Sequence, residues 1–213
     1  VLERLKARLP EQTLIHTEWF HTDCIADWYK VPVFSEKYWE LTSGYTSCLL
    51  SEELEKRLPF PFFAGWGISF DVVDAYKNAA TALSACKKDQ NHYTFLVTES
   101  QEMVGPLNSN RSISYSLKPH AQTSSLAKSL GISPINLEKI ISLQKERSMY
   151  EFTSSDLVYF LEITPRSASR ILSKLSSADL AHPVRTINLN GTGRPLTVYE
   201  IDFSNIKEFW GSH

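Results

Sequence analysis

The sequence predicts an α+β fold: a mixed α/β region over residues 1–118, then a helix-rich region closed by a hairpin over 119–213. Three observations carry that expectation. A capped helix pattern at 69–88 is followed by two β-rich runs. Residues 124–178 contain successive helix starts marked by Ser or Thr caps and by prolines in the first turn. Residues 183–201 alternate around a Gly-rich turn. The 213 residues suffice for one large domain or two small ones. A hydrophobic fraction of 42% and an aromatic fraction of 12% exclude a disordered chain. The net charge of −2 excludes a protein that coats nucleic acid with its whole surface. It leaves room for one basic patch on an acidic body, so charge has to be read locally.

The first fifty residues are dense in aromatic side chains, including Trp19, Phe20, Trp28, Tyr29, Tyr38 and Trp39. Within them "QTLIHTEWF" reads as a strand, and "SEKYWELTSGY" starts a helix at Ser35. "LPFPFFAGWG" carries Pro59, Pro61, Gly65 and Gly67, which argue against any regular element and make "GWG" a turn. "SFDVVDAYKNAATALSACKK" is a helix capped by Ser69, with Asp71 and Asp74 at its positive end and Lys87 and Lys88 at its negative end. Its spacing puts Phe70, Val73, Tyr76, Ala80 and Leu83 on the expected core face. "HYTFLVTE" and "SISYSLK" are strands, with "GPLNSN" as turn chemistry between them.

"KPHAQTSS" (118–125) is the expected boundary. "SSLAKSLG" then ends in Gly131, a C-cap residue, and Ser133 with Pro134 opens a helix that buries Leu137, Ile140 and Ile141. Thr153 and Asp156 form a capping box ahead of Leu157, Val158 and Leu161. After a short gap Thr164 caps the next helix, with Pro165 at its first position. Ala168, Ile171, Leu172 and Leu175 form one stripe of it, spaced i, i+3, i+4 and i+7. Arg166, Ser169, Arg170, Ser173, Lys174 and Ser177 form the opposite one. That outer stripe holds cations and hydroxyls and no acid, which suits phosphates and base edges. "VRTINL" and "LTVYEI" pair as a hairpin through "NGTGRP". From Thr164 to Leu196 the cations are Arg166, Arg170, Lys174, Arg185 and Arg194, against the single acid Asp179.

Helix, short turn, basic helix and Gly-Arg hairpin together resemble a winged helix-turn-helix domain, over roughly 135–203. The resemblance implies a DNA-binding transcriptional regulator, with helix 164–178 in the major groove of double-stranded DNA. Arg166, Arg170 and Lys174 would position that helix, and Ser167, Ser169 and Ser173 would reach bases or phosphates. Arg185 lies on the first strand, and Arg194 at the loop tip would anchor the wing. A homodimer is expected, because one short helix reads few base pairs. The mixed region 1–118 would sense a small-molecule effector or mediate association. The alternatives are a winged helix serving as a protein-binding module, and a carbohydrate-active fragment in the N-terminal half.

The second alternative comes from "LIHTEWFHTDCIADWYKVPVFSEKYWEL", at roughly 14–41, which is similar to a segment of large bacterial glycoside hydrolase-like proteins. Nothing after Leu41 continues that pattern, so no catalytic role is carried onto Glu18, Asp23 or Glu36. His16, Glu18, His21, Asp23 and Cys24 suggest a metal site, but strand alternation sends them to opposite faces, so no metal is expected. Cys24, Cys48 and Cys86 form no CxxC pair, which fits a reducing cytoplasm, and no cofactor is expected. No apolar run approaches the ~20 residues of a membrane span, and no signal peptide is recognisable. The chain starts at Val1, in keeping with a processed or excised piece. No GxSxG or dinucleotide-loop motif occurs, and the expected mechanism is non-enzymatic.

Overall fold

A computed structural model of the chain describes residues 44–48, 51–52, 56, 63–86, 94–188 and 195–203. The strand expected at 12–20, the hydrolase-like segment 14–41, Lys87, Lys88 and Arg194 lie outside the described residues. The architecture is α+β.

In the N-terminal part β1 (Ala64–Gly67), α1 (Val72–Cys86) and β2 (Thr94–Val97) form a parallel β-α-β unit. Strands β3 (Glu102–Gly105) and β4 (Ile113–Ser116) extend it antiparallel in the order β1-β2-β3-β4. The "AGWG" stretch is therefore a strand, not a turn. Gly65 and Gly67 alternate onto the face covered by α1, where a methyl on either would overlap the backbone of Ala75, Ala79 or Leu83. The absent side chains let helix and strand touch backbone to backbone, which is why two glycines here favour a strand.

That contact also reverses the face expected for α1. Its Ala75, Ala79 and Ala82 lie against the glycines and the core, and Cys86 is fully buried. Phe70 is 97% exposed, Val73 60% and Tyr76 55%. Bulky residues cannot approach a glycine strand so closely, and small ones can. Asn78, buried in the same helix, donates from Nδ2 to the Ile68 carbonyl (2.9 Å) and the Thr98 carbonyl (3.1 Å). It accepts from Gln101 Nε2 at 2.8 Å. Ligands of open parallel sheets sit beyond the carboxyl ends of the strands; here Asn78 fills that position between β1 and β2.

Strand β3 was not expected. Its preceding turn uses Gln101 in the left-handed region (φ 63°) rather than Gly or Asn, so composition did not mark it. "GPLNSN" connects β3 to β4, and not β2 to β4.

Helix α2 (Ala121–Leu130) begins inside the stretch 118–125 expected as the boundary, three residues before the expected helical run at Ser124. It ends at Gly131 (φ 62°), with the Ile132 N–H donating to the Ala127 carbonyl. Helix α3 (Pro134–Arg147) follows; Ser133 holds its N-cap position without a side-chain capping bond. Leu137, Ile140, Ile141 and Leu143 of α3 are buried in one core that also contains Phe95, Met103, Ile113 and Tyr115 of the sheet. Strand β5 (Glu151–Phe152) leads into α4 (Ser154–Leu161), which carries both bonds of the Thr153–Asp156 capping box. After Glu162–Thr164 comes α5 (Pro165–Ser177), then β6 (Ala181–Ile187) and β7 (Leu196–Ile201), in the sheet order β5-β7-β6. Pro183 is tolerated because β6 is an edge strand, and the register shifts between Pro183 and Arg185. Gln144 Nε2 of α3 donates to the Ile201 carbonyl (2.7 Å) and joins the small sheet to the helices.

Candidate nucleic-acid interface

Helix α5 is built as its two stripes require. Ala168, Ile171, Leu172 and Leu175 are all buried, each large one worth roughly 1.5–3 kcal/mol of transfer free energy. The Thr164 hydroxyl caps the helix by accepting from the Ser167 N–H at 3.2 Å. Three residues separate α4 from α5, and Glu162 takes the left-handed conformation (φ 57°) that turns the chain.

Arg166, Ser169, Arg170 and Ser173 share the exposed outer face of α5. Neither guanidinium has an ion-pair or hydrogen-bond partner among the described residues. Ser167 is half-buried, and its hydroxyl accepts from Thr164 Oγ1 at 2.9 Å, so it belongs to the cap. Lys174 turns inward and donates to the Gly131 carbonyl, fixing α5 to the end of α2. Arg185 stands on the exposed strand β6 and reaches across β7 to Glu151, Nη2 to Oε2, at 2.5 Å. That ion pair holds the Glu151 carboxyl below its ordinary range. The structure thus brings four of the eight expected residues together on one open surface. Ser167, Lys174 and Arg185 have protein partners, and Arg194 lies outside the described residues.

The chain matches no protein-family profile, no curated protein and no solved structure. Function therefore has to be argued from this surface and its surroundings. Among the described residues no three His, Cys, Asp or Glu side chains gather as metal ligands, and no helix is long and apolar enough to cross a membrane.

Two arginines outside the expected set tie α4 to the rest of the molecule. Arg111 lies over the Tyr159 ring (5.3 Å to the centroid) and 3.9 Å from the Glu162 carboxylate. Arg147 lies over the Phe160 ring at 5.2 Å, and its guanidinium donates to the Asn110 and Ser112 carbonyls. Both contacts join residues far apart in the chain, which no local pattern announces. The role of Ser167 was legible, because Thr-x-x-Ser at a helix start is capping spacing.

Proposed function

We propose that residues 119–213 form a winged helix-turn-helix that binds double-stranded DNA, making the chain a transcriptional regulator that acts as a homodimer in the cytoplasm. The observation that carries this reading is the outer face of α5: two arginines without partners among the described residues and two serines, with no acid among them, above a fully buried apolar stripe. The element order α2-α3-β5-α4-α5-β6-β7 and the sheet order β5-β7-β6 support it, since they set α5 after a three-residue turn and leave β6 as an exposed wing strand. Arg166 and Arg170 would contact phosphates, while Ser169 and Ser173 face the base edges. The N-terminal region would sense a small-molecule effector or mediate association.

The test is a fluorescence anisotropy titration of mixed-sequence duplex DNA at several salt concentrations. Arg166→Ala with Arg170→Ala should weaken binding about tenfold or more at low salt and lower the salt slope by about 2. A wild type that does not bind duplex, or a double variant that binds equally well, would end this reading.

A further inference from the structure

Residues 103–137 contain no Asp or Glu, although the chain has 24 acids in 213 residues. They include the whole of α2, whose exposed side carries Gln122, Ser125, Lys128 and Ser129. Neither the Lys128 ammonium nor the Ser125 hydroxyl has a partner among the described residues. The acid that ends this stretch, Glu138, is buried in α3. The exposed side of α2 and the turn after it therefore hold no carboxylate of their own.

The fold joins this surface to α5. Lys174, the last cation of the α5 stripe, donates to the Gly131 carbonyl, and the Gly131 N–H donates to the Lys128 carbonyl at 3.1 Å. Lys128 thus stands one backbone hydrogen bond beyond the row Arg166, Arg170 and Lys174, whose members follow at about 6 Å along the helix. Lys174 has a second effect there. The carbonyl end of a helix carries a partial negative charge that would repel a phosphate, and the ammonium covers it. The acids that flank α5 in sequence lie against other groups: Glu162 is 3.9 Å from the Arg111 guanidinium, and Asp179 is 3.7 Å from His182.

We propose that Lys128 extends the duplex-binding surface from α5 onto α2 by contacting a backbone phosphate, with the Ser125 hydroxyl as a second donor. The inference rests on the DNA reading of α5. With α5 in the groove, a helix beside it meets the phosphate ridge rather than base edges, and an ammonium on a flexible stem suits a point charge there. The contact adds affinity and orientation without adding sequence preference.

The test titrates Lys128→Gln, Lys128→Arg and Lys77→Gln against two unrelated duplexes at several salt concentrations, beside the wild type and the double arginine variant. Lys128→Gln should weaken binding about threefold or more at low salt, equally on both duplexes, and lower the salt slope by about 1. Lys128→Arg keeps the charge and should bind like the wild type. Lys77→Gln removes the same charge from the exposed side of α1 and should leave the slope where it was. The inference is overturned by wild-type binding of Lys128→Gln, by an effect confined to one duplex, or by an equal effect from Lys77→Gln or Lys128→Arg. Each of those results leaves the DNA reading standing if the double arginine variant loses affinity. A wild type that does not bind duplex ends both.

Discussion

Helices α1 and α5 are seated on their cores in opposite ways. α1 lies on two glycines of β1 and touches them with alanines and its own backbone. α5 drives Ile171, Leu172 and Leu175 into a pocket formed by neighbouring helices and the small sheet. The first seat tolerates no added atom, and the second tolerates no lost one. The opposite faces differ too: that of α1 exposes Val73 and Tyr76, with Phe70 exposed just before the helix, and that of α5 is basic.

Substitutions that change volume in opposite directions break the comparison most directly. Leu175→Ala should cost roughly 2–5 kcal/mol by opening a cavity under α5, a large part of an ordinary domain's stability, read from chemical denaturation. Gly67→Ala should cost roughly 1–3 kcal/mol or more, although it adds only a methyl, because that methyl meets helix backbone that cannot rotate away. A Gly67→Ala variant as stable as wild type would disprove the close seat of α1. Thr153→Ala, which removes the hydroxyl of the α4 capping box, should cost about 1 kcal/mol in the same assay.

The smallest effects are in pH dependence, and they have opposite signs. Arg185 holds the Glu151 carboxyl low, so that pair's contribution is present above the ordinary carboxylate pKa and fades as pH falls through the lowered one. Burial raises Glu146, so its site is most comfortable at low pH and loses that advantage as pH rises through the raised value. In a carboxyl NMR titration Arg185→Ala should move Glu151 upward and leave Glu146 where it was. Movement of both, or of neither, would contradict the assigned causes.

The sequence made α5 legible because its packing follows a single rule, one apolar stripe and one polar stripe at helical spacing. Thr153 with Asp156, Gly131, and the hairpin strands expected at 184–189 and 196–201 were readable for the same reason, each being decided by its own few residues, although the first of these strands in fact runs from Ala181 to Ile187. α1 misled because its hydrophobic spacing marks Phe70, Val73 and Tyr76, while the close approach of Gly65 and Gly67 rewards small side chains. Only the pairing of strand and helix makes that visible. The partners of Lys174 and Arg185 were hidden likewise: Gly131 and Glu151 are brought up by the fold, 43 and 34 residues away in sequence. Of the candidate interface, the acid-free stripe could be read in advance, but which of its members remain free could not.

The C-terminal turn of α3 has a consequence for how copies of this chain can meet. β4 ends its sheet, yet at that margin Glu146 receives the Ser114 N–H and Arg147 occupies the Ser112 carbonyl. Side chains there stand in for the missing strand. A foreign strand seeking to extend the sheet at β4 would first have to displace both, which blunts fibre-like growth from this end of the sheet. Charge reversal at both positions should expose the margin and show up as faster aggregation on gentle warming, even where the folded monomer persists.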